Sequence, residues 1–294
     1  MQGTATGTRT LRKVPVTGTS STSAGSKGEP VVDTSVAHPA RVYNYLLGGS
    51  VNFDVDREAA VHATAAIGGV DVARGIVRAN RDFLREAVSY LATEAGIRQY
   101  LDIGTGIPTG DNVHEVAQRA APEARIVYVD YDPIVLAHAH QLLTSTPEGK
   151  TAYVHGDLRD PGPILERATE TLDFSQPIAV VLIGVLHFVR DSEDPHAIVA
   201  RLMDAMPSGS YLAISHLASD LQAEQMADMA ERYDESVDEA MIVRSHAEVS
   251  RFFDGLELVG RGVVRIDQWG APEDEPDAAG GWVMPVYGAL GRKP

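Results

Sequence analysis

Leu101-Asp102-Ile103-Gly104-Thr105-Gly106 joins a short apolar run to a glycine turn that opens a helix. Glycines let a backbone approach a bound ligand closely and adopt torsion angles closed to other residues. Ligands of open α/β sheets bind at the carboxyl ends of strands, so Asp102, Gly104, Thr105 and Gly106 are candidate binding residues. Three similar places follow. Asp130 ends the next β-branched run, where a carboxylate can accept hydrogen bonds from both hydroxyls of a ribose. Gly156-Asp157-Leu158 ends a third run, where Asp157 can accept from the amino group of an adenine. Gly184-Val185-Leu186-His187 ends a fourth and faces the same crevice.

A nicotinamide dinucleotide fingerprint would need a glycine at position 109, where the chain has Thr109. Asp102 stands two residues before the first glycine, and an acid there suits a cationic amino group better than a pyrophosphate. The pattern therefore favours S-adenosylmethionine over a dinucleotide. Methyl transfer from a sulfonium is an in-line displacement governed by alignment. A neutral hydroxyl or amine acceptor also needs a base. His187 and His216, both at expected strand ends, are the candidate bases, with structural, hydrogen-bonded roles as the alternative. Tyr43 and Asn44 could line the mouth of the site, an aromatic face attracting the sulfonium. Asn80 and Arg81 could reach a cofactor carboxylate, although Arg81 could equally be a surface charge.

Other motifs fail on spacing. Gly149-Lys150-Thr151 imitates the end of a phosphate-binding loop, but the upstream glycine is replaced by Thr144. His114-Glu115 lacks a second histidine because position 118 is Gln118. No cluster with metal-ligand spacing is present, so no metal is expected.

These residues need strands and helices to hold them. Apolar runs at Tyr100–Ile103, 125–130, 151–155, 178–183 and 210–214 alternate with helical stretches, notably 111–121, 133–143 and 161–170. Strands alternating with helices predict a doubly wound parallel sheet. Further helices are expected near 219–234 and 245–253. Two last strands, 256–266 and 282–290, have no helix between them and predict an antiparallel hairpin at the sheet edge. Residues 38–95 read as three helices: a short piece at 41–47 stopped by Gly48-Gly49, a second from about Asp56, and a third over 71–95.

The 294-residue chain carries a net charge of −16, yet residues 1–28 hold four basic residues and no acid. Residues 1–35, rich in Gly, Ser and Thr, are expected to be a disordered tail. The acidic remainder would repel phosphate backbones, which argues against a nucleic-acid substrate. No apolar run reaches the ~20 residues of a membrane span. The absence of cysteine excludes disulfides and thiol catalysis and fits a cytoplasmic protein.

Asp102-x-Gly104-x-Gly106, Asp130, Gly156-Asp157 and Val185-Leu186-His187 resemble the successive motifs of class I S-adenosylmethionine-dependent methyltransferases. The segment 40–49, with Asn52-Phe53 and Asn80-Arg81-x-Phe83-Leu84, resembles an actinobacterial S-adenosyl methyltransferase family formerly catalogued as a domain of unknown function. The likeness spans about residues 36–290 and departs at Pro108, where a third glycine is usual. It implies a Rossmann-like, seven-stranded sheet (98–294) whose last strand is antiparallel, and an N-terminal helical lid (36–97). It also implies that Asp102 and the glycine turn hold the methionine portion, Asp130 the ribose, and Asp157 with Leu158 the adenine. The expected activity is methyl transfer to oxygen or nitrogen of a small molecule. A binding protein without transferase activity and a nicotinamide-dependent oxidoreductase are the alternatives.

Overall fold

The computed structural model describes residues 34–135, 138, 144–270 and 282–294. The glycine- and serine-rich arm, most of the helix expected at 133–143 and the acidic loop 271–281 lie outside the described residues.

Five strands, β1 (Gln99–Ile103), β2 (Arg125–Asp130), β3 (Lys150–His155), β4 (Ala179–Ile183) and β5 (Tyr211–Leu217), form a parallel sheet. Adjoining it are β6 (Glu257–Leu258), β7 (Val264–Arg265) and β8 (Val286–Arg292), in the order β3-β2-β1-β4-β5-β8-β6, with β7 also on β8. β8 runs antiparallel to β5, β6 and β7. The expected terminal hairpin is therefore altered. Its first arm is two short strands around a turn, and its second arm lies inside the sheet rather than at the edge.

Strand side chains alternate between faces, and two apolar cores follow from this. Tyr100, Ile126, Tyr128, Val181, Ala213 and Leu290 belong to one core. Leu101, Ile103, Val127, Val129, Val180, Leu212 and Ile214 belong to the other. The first core is closed by α3 (Val70–Thr93), α4 (Val113–Ala120) and α7 (Ala223–Asp234). The second is closed by α5 (Pro161–Ala168), α6 (Pro195–Asp204) and α8 (His246–Ser250). Helices on both faces of a mostly parallel sheet make this a doubly wound, Rossmann-like α/β fold. α6 was not among the helices expected; it begins at Pro195 with Asp194 accepting the Ala197 amide as its cap, and buries Ile198, Val199, Leu202 and Met203 on one face.

The remaining helices are α1 (Pro39–Leu46) and α2 (Asp54–Thr64). Asp56 starts α2 two residues earlier than expected because its Oδ2 accepts the Phe53 amide. Its Oδ1 accepts from Arg41 Nε at 3.1 Å and from the His38 amide at 3.0 Å. Both partners of this ion pair are buried, so it fixes the angle between α1 and α2; removing either would strand a charge. α3 does two things. Phe83, Leu84, Ala87, Val88 and Leu91 pack in the sheet's first core, while its amino-terminal half rises towards α1 and α2. No single helix among the described residues is long and apolar enough to cross a membrane.

Candidate functional site

The carboxyl ends of β1, β2, β4 and β5 open into a crevice whose opposite wall is built by α1, α2, α3 and α7. Its floor is the switch point where β1 lies between β2 and β4, so the two adjoining connections leave in opposite directions.

Gly104 and Gly106 of the turn after β1 both have positive φ. A Cβ at Gly104 would overlap the Val185 side chain, so only glycine allows the turns after β1 and β4 to touch. The amides of Gly104 and Thr105 both donate to Val129 O, at 2.9 and 3.2 Å. The Thr105 hydroxyl donates to Asp102 O at 3.1 Å, so Thr105 lines the crevice chiefly by shaping its turn.

Asp102 shares a sheet face with Tyr100, and its side chain lines the crevice. Its carboxylate has no hydrogen-bond donor among the described residues. Burial pushes it up to about 7, against the opposing pull of Arg81. Arg81 spends its guanidinium on the Gly110 and Asp111 carbonyls, each at 2.9 Å, which pins the loop that continues the glycine turn. Asp102 is thus a buried acid without a counter-ion in contact.

Asp130 Oδ2 accepts the Gly106 amide, and its Oδ1 accepts the Asp132 amide at 2.9 Å. Burial pushes this carboxyl up to about 6. Asp157 is more exposed and is paired with Arg159 at 3.2 Å, while Leu158 is buried against the crevice. Arg159 also reaches Glu193 at 3.0 Å, Glu239 at 3.5 Å and Phe188 O at 3.1 Å. Glu239 in turn bonds the Tyr131 hydroxyl, which lies 2.7 Å from His38 Nε2. Sequence reasoning missed His38, Tyr131, Arg159 and Glu239. The first cue available was that Tyr131 immediately follows the acid that ends β2, and that Arg159 lies two residues after Asp157 in the turn beyond β3.

Tyr43, Asn80 and Ser215 form a polar chain across the crevice wall. The Ser215 hydroxyl donates to Asn80 Oδ1 at 2.6 Å, and Asn80 Nδ2 donates to Tyr43 Oη at 3.1 Å. The Tyr43 hydroxyl donates to Val77 O at 3.3 Å. Asn80 therefore ties β5 to α1 through α3, beside Gly184. Asn44 does not join them. It points away from the crevice, and its Oδ1 accepts from the Val51 amide and from Asn52 Nδ2 at 2.9 and 3.0 Å. Its work is to latch the 49–52 turn, because one residue along a helix rotates a side chain by ~100°.

His187 follows β4 in a short 3₁₀ turn, lines the crevice and is buried. Its Nδ1 has no hydrogen-bond partner among the described residues. Burial, then His216 and Arg244, hold its imidazole well below the ordinary range, so it is neutral. His216 also lines the crevice, but from within a strand rather than beyond its end. β5 runs on to Leu217, so His216 lies within the strand and takes the face opposite Ser215. Its Nδ1 bonds Leu217 O at 2.8 Å and its Nε2 bonds Arg244 Nη1 at 2.8 Å. Since the guanidinium can only donate, His216 is a neutral Nδ1–H tautomer with both nitrogens occupied. Burial lowers it to about 3. Arg244, another residue that sequence reasoning missed, also donates to Leu186 O at 3.0 Å, Val189 O at 2.8 Å and Asp191 at 2.7 Å. It clamps the turn that carries His187.

A family model described as S-adenosyl methyltransferase matches residues 26–294. A protein of the DUF574 family from Streptomyces avermitilis MA-4680 is 45% identical, with a TM-score of 0.83, over 89% of this chain and 99% of its own. A protein from Thermobifida fusca YX is 38% identical, with a TM-score of 0.79, over 89% of this chain and 96% of its own. No protein of curated function matches the chain.

Proposed function

The chain belongs to the S-adenosyl methyltransferase family, with S-adenosylmethionine as its cofactor, and we propose that it methylates an oxygen or nitrogen of a small molecule held in the crevice. The observation that carries this reading is Asp102, a buried carboxylate without a donor at the end of β1. Desolvating an acid is costly unless a cation or donors arrive to compensate it. An α-amino group is such a cation, and the positive-φ turn beside Asp102 leaves room for backbone contact.

Bound S-adenosylmethionine supplies an electrophilic methyl group on a sulfonium. In this proposal Asp102, Gly104 and Gly106 hold the methionine portion, Asp130 the ribose, and Leu158 with Asp157 the adenine. Gly184 lets Asn80 approach the site, while Asn80 and Tyr43 fix the wall that faces the sulfonium. His187, neutral and with a free Nδ1, accepts the proton that leaves the acceptor. α1, α2 and the start of α3 act as a lid that keeps water from the reacting centre. The cytoplasmic location and the preference for a small molecule over nucleic acid belong to the same proposal, supported by the cysteine-free, acidic composition.

Calorimetry with S-adenosylmethionine, followed by an acceptor screen with methyl-labelled cofactor, tests it. Binding and acceptor-dependent label transfer are expected. Binding without transfer to any oxygen or nitrogen acceptor would reduce the protein to a cofactor-binding module.

A further inference from the structure

The crevice continues past the strand ends into a chamber walled by Val42, Leu46, Ala63, Ile67, Met229 and Met241. With Asp102 and Asp130 given to the cofactor, the other charges that reach the crevice already have partners. Arg81 holds two carbonyls, Arg159 is shared among Asp157, Glu193 and Glu239, and Glu239 also bonds Tyr131. A charged group entering this chamber would lose its water and find no free counter-ion, at a cost that burial alone does not recover.

Two buried polar atoms in the same wall have no hydrogen-bond partner among the described residues: Nδ1 of His187 and the hydroxyl of Tyr233. Tyr233 sits on α7 and is 3% exposed. The Phe188 ring adjoins both, with its centroid 4.3 Å from the His187 ring and 6.0 Å from the Tyr233 ring. A buried phenol without a partner is unfavourable unless something in the working complex satisfies it. An aromatic edge beside it suits a flat, apolar body.

We propose that the acceptor is an uncharged, largely apolar aromatic molecule with two polar groups, one methylated beside His187 and the other hydrogen-bonded by Tyr233. Tyr233 is then a specificity-determining residue. This rests on the methyltransferase reading above, because it assigns the far end of the same site.

The test uses the full chain loaded with S-adenosylhomocysteine and titrated calorimetrically with neutral mono- and bicyclic phenols and diols. The set includes 1,5-dihydroxynaphthalene, 1-naphthol and 5-hydroxy-1-naphthoate. The neutral diol is expected to bind, the mono-hydroxyl compound about tenfold more weakly, and the carboxylate least. Tyr233→Phe should erase the advantage of the diol while leaving the cofactor affinity and the melting temperature of the free protein unchanged or higher. A structural hydroxyl would instead lower that temperature. Tight binding of the carboxylate, or cofactor binding with no neutral phenol bound, would overturn this inference alone. Failure to bind S-adenosylhomocysteine would overturn the methyltransferase reading beneath it.

Discussion

The amide of Gly106 donates to Oδ2 of Asp130 at 2.8 Å, so the turn after β1 and the acid that ends β2 are held as one unit. Because the other oxygen takes the Asp132 amide, Asp130 orders two backbone segments before any ligand arrives. Asp130→Asn replaces one accepting oxygen with a donor, so at least one of these amides loses its partner. S-adenosylmethionine affinity should fall by about 1–3 kcal/mol. Calorimetry giving an unchanged Kd in a folded variant would remove Asp130 from the ribose role.

Cofactor affinity should depend on pH through Asp102 and Asp130, which burial raises to about 7 and about 6 in the free protein. A cationic ligand favours the ionised acids, so affinity should be highest above pH 7 and fall as pH drops through 7 to 6. Binding near pH 6.5 should release protons, seen as a binding enthalpy that changes with the buffer. The effect on folding has the opposite sign. A carboxyl raised in the fold contributes stability that is fully present only below its ordinary value of about 4 and is lost progressively as pH rises from there to 6–7. The free protein should lose stability over that window, and the cofactor should restore it. An affinity that is flat from pH 5.5 to 8 would contradict the role given to Asp102.

Arg244→Met should destabilise the protein by about 3 kcal/mol or more. It leaves Leu186 O, Val189 O and His216 Nε2 without their buried donor. Cofactor affinity should change less, since Arg244 acts on the turn behind His187. Thermal unfolding and calorimetry together check this, and unaltered stability would show that the clamp is dispensable.

The closure of α1 and α2 proposed above predicts slowed hydrogen exchange at 40–55 and 78–84, together with 102–106, when S-adenosylmethionine is added. Protection confined to 102–106 would remove the lid. Asn44→Ala serves as the control. It should speed exchange around 49–52 in the free protein by releasing the Val51 and Asn52 contacts, yet leave the cofactor Kd within about threefold.

The strand ends were legible because each central strand is a short β-branched run cut off by an acid or a glycine, and those interruptions are where the crevice forms. Ser215 and His216 show the limit. Polar residues obscured the last turns of β5, and a strand three residues longer than its apolar run moves the histidine into the sheet and onto the other face. Asn44 was misplaced for a related reason. In a helix as short as α1, side chains one position apart diverge, so Tyr43 reaches the crevice while Asn44 reaches the following turn. Arg244 had no local signature at all. Its partners at 186, 189, 191 and 216 converge on it only through the tertiary fold.

β8 is the last strand along the chain but lies inside the sheet, between β5 on one side and β6 with β7 on the other. Gly288 is pressed against Phe83 and Ile266, so α3 and the β7 region also wait for it. During vectorial synthesis β6 and β7 therefore emerge with no edge to join, and the Phe83 face of α3 stays partly uncovered until Val286–Arg292 arrives. Such non-local pairing is intrinsically slow, because the loop between β5 and β8 must close before any of its contacts form. Lys293 completes it, its ammonium donating to Met203 O and Met206 O, each at 2.8 Å, at the carboxyl end of α6. A lesion in the final ten residues is thus felt in the middle of the sheet.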